Sequence, residues 1–246
     1  MSTFTLLQLS DCHLHADTNT IGYQDINPFQ SLCAVFDTLR DVKPDAIVIS
    51  GDISNDYSHQ SYQHLLRLLD TFFPAVTYRV LPGNHDEQQQ MRAVYPAENC
   101  WETPLQLGNW HIHCLDTQTE QVAGALGALQ INSLTQRLAG AEQAFHLLAM
   151  HHPPMNMHSW MDEIGLENLT EVQAILTGYP QIRAAICGHV HTAREMQLAD
   201  VVVMSCPSTC WQWAHTAEFG LANEAPGARL LTLYPDGQIS SRVIRA

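Results

Sequence analysis

The sequence predicts an α/β fold, and three observations carry that reading. Short apolar runs of strand length alternate with amphipathic stretches of helical period, the pattern of βαβ units. Five of the apolar runs end directly in polar clusters rich in Asp, His, Asn and Gly. The length, 246 residues, suits one domain with a sizeable core, so a single domain over residues 1–246 is expected.

The elements follow in order. Residues 3–9 read as a buried strand that runs into Ser10-Asp11-Cys12-His13. Residues 14–27 lack periodicity and read as a loop. Asn27-Pro28 then marks a helix start, with Phe29, Leu32, Phe36 and Leu39 at spacings of three and four. Lys43-Pro44 breaks this helix. Residues 45–50 form a strand that delivers Gly51-Asp52. A helix over 59–73 turns Tyr62, Leu65, Leu66, Leu69, Phe72 and Phe73 inward, and Pro74 ends it. The strand 76–81 leads into Pro82-Gly83-Asn84-His85-Asp86.

Residues 87–104 read as an irregular lid or surface loop. Strands at 110–115 and 145–150 flank a helix at 128–139, and the second strand ends in His151-His152-Pro153-Pro154. Residues 155–169 read as loop. Thr170 with Gln173 forms the pattern of a capping box for a helix ending near Gly178. A strand at 183–187 leads into Gly188-His189-Val190-His191, and 201–205 is apolar again. Residues 229–234 and 238–244 read as a hairpin around Pro235-Asp236-Gly237.

Composition narrows the function. Net charge is −14, from 11 Lys+Arg against 25 Asp+Glu. Such a surface attracts neither nucleic acid nor an anionic membrane. An anionic substrate remains compatible, because bound cations dominate the local field. The seven cysteines are odd in number and contain no CxxC pair, which fits free thiols in a reducing compartment. Cys206 and Cys210 lack the second cysteine pair of a zinc site. Phe4–Leu9 is too short for a signal-peptide core and no run reaches membrane-span length, so a cytoplasmic location is expected.

The five strand-end clusters are Asp11-x-His13, Gly51-Asp52, Gly83-Asn84-His85-Asp86, His151 and Gly188-His189-x-His191. Ligands of open α/β sheets gather outside strand ends, so these distant segments are expected to converge. Asp, His and Asn are ligands for borderline divalent ions. On an extended segment, Asp-x-His and His-x-His would put both side chains on one side. The glycines at 51, 83 and 188 would allow positive φ or close backbone approach. A carboxylate shared by two ions would set the separation used in phosphoester chemistry.

This ordered set resembles the calcineurin-like metallophosphoesterases over residues 11–191. The resemblance implies an αββα four-layer sandwich, two mixed sheets flanked by helices, with a binuclear centre at the strand ends. Gly51-Asp-Ile, Leu81-Pro-Gly-Asn-His-Asp, Trp160-Met-Asp-x-x-Gly-Leu-x-Asn168, Cys187-Gly-His-Val-His and Pro207-Ser-Thr-Cys210 look more narrowly like the bacterial class III 3′,5′-cyclic AMP phosphodiesterases. Trp211 and Trp213, flanking Gln212, depart from that pattern, in which smaller residues are common.

The resemblance further implies two divalent ions, Fe, Mn or Zn. Asp11, His13, Asp52 and His191 would hold one, and Asp52, Asn84, His151 and His189 the other, with Asp52 bridging. His152 would lie behind the ligands or in the pocket. The implied reaction hydrolyses 3′,5′-cyclic AMP to 5′-AMP, with a hydroxide held at the centre as nucleophile. His85 is the expected catalytic acid or orienting donor, and Asp86 is expected to fix its tautomer. His13, Asp52, Asn84, His85 and His191 would contact substrate. An adenine needs a flat apolar slot, for which Met157, His158, Trp160, Trp211 and Trp213 are the candidate walls. Asn168 is expected either to cap the next segment or to touch the site. A monomer or homodimer is expected. The alternative is another nucleotide or phospholipid-derived phosphoester as substrate.

Overall fold

The computed structural model describes residues 2–246. One sheet has the order β13-β12-β1-β2-β3, from β1 (Phe4–Leu9), β2 (Ala46–Ser50), β3 (Thr77–Leu81), β12 (Gly227–Leu233) and β13 (Ile239–Arg245). The other has the order β4-β5-β6-β7-β9-β8. Its strands are β4 (Leu105–Leu107), β5 (Trp110–Leu115), β6 (Phe145–Met150), β7 (Ile182–Cys187), β8 (Arg194–Leu198) and β9 (Val201–Ser205). β10 (Gln212–Trp213) and β11 (Leu221–Ala222) pair separately. β1, β2 and β3 run parallel, as do β5, β6, β7 and β9. Their carboxyl ends therefore open together within each sheet.

The sheets pack face to face, and alternation along each strand decides what is enclosed. Gln8, Val48 and Ser50 face the other sheet, whereas Ile47 and Ile49 face the helices α1 (Pro28–Thr38) and α2 (His59–Phe72). In the second sheet, Leu147, Ala149, Ala184 and Ile186 face inward, and Leu148, Met150 and Ala185 meet α4 (Ala128–Gly140) and α5 (Leu169–Gly178). Two mixed sheets between helices is the architecture expected. Gln8 bolts the layers together near the strand ends: its Nε2 donates to Ser50 Oγ at 2.9 Å and to Cys187 O at 3.0 Å. Buried amide donors must find acceptors, so this pair fixes the relative height of β1, β2 and β7.

Asn27 caps α1 as expected, accepting from Gln30 N at 2.9 Å, with Pro28 at the first helical position. Several expectations are corrected. Residues 87–104 are not wholly irregular: α3 (Gln88–Val94) forms there behind the Glu87 cap. The 155–169 loop contains a short 3-10 helix, Trp160–Ile164, closed by a Ser159–Asp162 capping box. Thr170 does not cap α5, because that helix starts at Leu169. Asn168 precedes it but makes no cap either. Its Oδ1 accepts from Leu126 N at 3.0 Å and its Nδ2 donates to Leu126 O at 2.9 Å, so it ties the start of α4 to the start of α5. All seven cysteines are free. Among the described residues, no helix is long and apolar enough to cross a membrane.

Candidate metal centre

The loops after β1, β2 and β3 meet those after β6 and β7 in one cage. Asp11 N donates to Gly51 O at 3.0 Å and His13 N to Asp52 O at 2.9 Å, which zips the first two loops together. His189 N donates to Asp11 Oδ1 at 3.0 Å, and His85 N to Asp52 Oδ1 at 2.9 Å. The backbone here is not extended, as the strand-period argument expected. Asp11, His13, Asp52, His189 and His191 have φ between 43° and 68°, the left-handed region. Alternating left-handed residues, rather than strand period, turn Asp11 and His13 to one side. Such strain persists only where surrounding structure enforces it, and it concentrates at functional sites.

The glycines meet their expectation. Gly51 has φ +91°, and a Cβ there would lie 2.5 Å from His151 Nδ1. Gly188 has no room for a Cβ between Ser10, Ser50 O and Asp11.

Four imidazoles each spend one nitrogen outward and aim the other inward. His13 Nδ1 donates to Asn55 Oδ1 at 3.0 Å, His151 Nδ1 to Ser50 O at 2.8 Å, His191 Nδ1 to Trp211 O at 2.9 Å, and His189 Nε2 to Ile164 O at 3.1 Å. In a neutral ring the inward nitrogen is therefore a lone pair. His13 Nε2 and His191 Nε2 face each other at 3.0 Å, with Asp11 Oδ1 3.4 Å from the latter. His151 Nε2 lies 3.1 Å from Asn84 Oδ1 and 3.3 Å from His189 Nδ1. Asp52 spans both groups, with Oδ1 3.4 Å from His151 Nε2 and Oδ2 3.6 Å from His13 Nε2. Asp11 Oδ2 is buried without a hydrogen-bond partner. Converging lone pairs and an orphaned carboxylate oxygen repel unless a cation sits among them. The donor set thus fits two ions, one on each side of Asp52, and Asp11, His13, Asn84, His151, His189 and His191 all reach the same cage.

The electrostatics agree. Burial opposes charge on Asp52, but His151 and His13 beside it hold its carboxyl well below the usual range. Burial also opposes charge on His151, yet Asp52 and Asp11 raise it to about 9, so without an ion its inward nitrogen takes up a proton in the place a metal cation would fill. Burial pushes His13 down to about 3 and His189 well below its ordinary value, leaving both neutral, the form that ligates.

His152 is not a ligand, although it lies beside His151 and His189. Its Nδ1 pairs with Thr117 Oγ1 at 2.8 Å and its Nε2 donates to Val122 O at 2.9 Å, so both nitrogens are taken. His85 is half-buried at the open side, with its ring 5.1 Å from that of His13. Asp86 does not orient it. The Asp86 carboxylate accepts from Ile53 N at 3.0 Å, Ser54 N at 3.0 Å and Gly83 N at 2.9 Å, and among the described residues none of its hydrogen bonds goes to His85. Asp86 clamps the Gly51–Asp52 loop to the loop after β3. Burial, then Asp52, raises its carboxyl to about 7 in spite of these donors.

The aromatic walls sort into two kinds. Trp211 is buried, its ring 5.1 Å from that of His13, so it packs behind the ligands. Met157 is also buried, against Met161 and Val190, and is core rather than wall. Trp213 is half-buried and stacks on His191 at 4.8 Å. Trp160, Tyr23 and Phe219 ring it at 5.7, 5.2 and 5.6 Å. Tyr23 and Phe219 are exposed and escape a sequence reading, since each is an isolated aromatic in an irregular segment. Asn55 escapes too. Its nearness in sequence to Asp52 is the only signal, and its role appears only with His13 Nδ1 beside it.

The family model of the calcineurin-like phosphoesterases matches residues 4–193. The chain belongs to that family. This phosphoesterase is 32% identical to a 3′,5′-cyclic-nucleotide phosphodiesterase of Nostoc sp., over 98% of this chain and 92% of the relative. It is 34% identical to the 3′,5′-cyclic adenosine monophosphate phosphodiesterase CpdA of Pseudomonas aeruginosa, over 98% and 89%. Among solved structures, a dimetal phosphatase from Danio rerio superposes with a TM-score of 0.67 at 14% identity, covering 98% of each chain, a likeness of fold.

Proposed function

We propose that this phosphoesterase hydrolyses the cyclic phosphodiester of 3′,5′-cyclic AMP to 5′-AMP, as one catalytic domain acting in the cytoplasm. The observation that carries the reading is the pair of imidazole nitrogens, His13 Nε2 and His191 Nε2, facing each other at 3.0 Å with both Nδ1 atoms engaged outward, beside the orphaned Asp11 Oδ2. That arrangement is built for cations, and the names of relatives similar over nearly the whole chain supply the substrate class.

Two divalent ions, iron, manganese or zinc, would neutralise phosphate charge and make water nucleophilic at neutral pH. Asp11, His13, Asp52 and His191 would hold one, and Asp52, Asn84, His151 and His189 the other. The chain's own residues do the rest. His85, at the open side, donates a proton to the departing O3′ as the P–O3′ bond breaks and water oxygen joins phosphorus, and the proton that water gives up passes to solvent, from which His85 is reprotonated. Asn84 and His85 also hold the phosphate. Asp86 keeps the two loops in register. Trp213, with Tyr23, Trp160 and Phe219 around it, offers the base a flat apolar face beside His191.

The test is a substrate panel in the presence of Mn²⁺: 3′,5′-cyclic AMP, bis-p-nitrophenyl phosphate and 5′-AMP. Cyclic AMP should exceed the generic diester in kcat/KM and 5′-AMP should be inert. Equal rates on the two diesters would replace the cyclic nucleotide with a less selective diester substrate.

A further inference from the structure

A second histidine cluster lies on the other side of the second sheet. His111 and His113 point from the same face of β5, and His146 stands beside His111 on the neighbouring strand β6. This is the outer face, where Leu115, Leu148 and Met150 continue the row against α4. His146 lies five residues before His151, and His113 registers with Leu148, three before it, so about 10 to 16 Å of strand separates this cluster from the phosphate centre on the opposite face. We propose that His111, His113 and His146 form a further metal site, taking one borderline divalent ion of the zinc class.

The geometry makes the case. The nitrogens of all three can be brought within 4.8 Å of one another. His113 Nε2 lies 2.9 Å from His146 Nδ1, with the two rings nearly parallel. His146 Nε2 donates to Ala141 O at 3.0 Å, just past the end of α4, so its Nδ1 is fixed as a lone pair facing the cluster. A carbonyl behind a ligating imidazole is how protein sites lock the tautomer they need. Two histidines at a spacing of two on one strand and a third on the adjacent strand present three nitrogens to one point, leaving a fourth position open to water.

The described surroundings give the cluster two hydrogen bonds and no counter-ion. Among the described residues, the rings' hydrogen bonds are that between His113 and His146 and that from His146 to Ala141 O, and the His111 ring makes none. His113 Nδ1 is buried with no partner. Among the described residues no carboxylate pairs with the cluster, and the charged side chain bearing on His113 is the cationic Arg137. A proton placed here gains no counter-ion. An ion that bonds directly to nitrogen lone pairs needs none. His111 is half-buried, which gives an ion a way in. Bound there, the ion would clip β5 to β6 and hold the end of α4 through Ala141.

The test compares zinc bound by the wild-type holoenzyme and by His111→Gln in equilibrium dialysis with elemental analysis. His111 lies outside the catalytic machinery and is half-exposed, so the variant should fold and turn over substrate as the wild type does. Wild type should hold one ion more per chain than the variant and gain thermal stability on adding zinc, a gain the variant lacks. Cobalt substitution should add visible absorption of low-coordinate nitrogen ligation in the wild type only. Equal metal content in the two proteins, with no difference in their cobalt spectra, would overturn the proposal. Because the readout is the difference between two proteins with intact phosphate centres, it is independent of the substrate assignment.

Discussion

Replacing Gly83 by alanine should damage the centre without unfolding the protein. A Cβ at residue 83 would stand 2.5 Å from Asp52 N, 2.8 Å from Asp52 Cγ and closer still to Asp52 Oδ1. Reaching ordinary contact requires roughly 1 Å of movement. The backbone nitrogen cannot yield easily, because His13 N holds Asp52 O at 2.9 Å, and the carboxylate is held by His85 N at 2.9 Å. Overpacking of this kind costs about 1–3 kcal/mol of stability. A displacement of ~1 Å in a positioned group costs on the order of 10²-fold in rate. Asp52 reaches both halves of the cage, so metal content should fall with turnover. Gly140→Ala, at the end of α4 with nothing within 4 Å of the added Cβ, should leave turnover unchanged and serve as the control. The assay is steady-state hydrolysis of 3′,5′-cyclic AMP with metal content by elemental analysis. Gly83→Ala with turnover within a few-fold of wild type and a full complement of metal would refute the close-approach argument.

His85→Ala should lower kcat by roughly 10²- to 10⁴-fold with metal content near wild type, as for a lost proton donor; loss of metal instead would recast His85 as a ligand. Asn55→Leu removes the acceptor that fixes the His13 tautomer and should weaken metal affinity about 10- to 100-fold, read by competition with a chelator. Trp213→Ala should raise KM for the cyclic nucleotide roughly tenfold, from a stacking contribution of about 1–3 kcal/mol, while KM for bis-p-nitrophenyl phosphate stays put. In chelated protein, burial and His146 hold His113 at about 3 against 6.5 when unfolded, so unfolding takes up a proton. That contribution to stability is complete above the unfolded value and declines as pH falls, by about 2 kcal/mol between pH 7 and pH 5. His113→Leu should flatten the corresponding slope of denaturation midpoint against pH.

The two-sheet core and the cage were legible because each rests on residue types that repeat a simple rule. Apolar strands alternate with amphipathic helices, and every converging loop carries Asp, His or Asn within three residues of its strand. What escaped notice lacks such a rule. β8 is Arg194–Leu198 at a sheet edge, where none of its residues is fully buried, and β4 has three residues. α3 buries Met91 alone, so it has no apolar stripe. The capping pattern at Thr170 was outcompeted by an earlier helix start at Leu169, with Asn168 engaged across to Leu126. The role expected of Asp86 was lost to three backbone amides, partners that no side-chain motif reveals. Tyr23 and Phe219 reach Trp213 only through the tertiary fold.

The left-handed conformation of Asp11 and Asp52 bears on how the cage can be dissected. Most side chains resist that conformation, so alanine at either position would change the chain path together with the ligand and blur the two effects. Asparagine keeps the same shape and tolerates the same torsion while discarding one negative charge. Asp11→Asn and Asp52→Asn are therefore the substitutions that separate what the carboxylates contribute as anions from what they contribute as geometry.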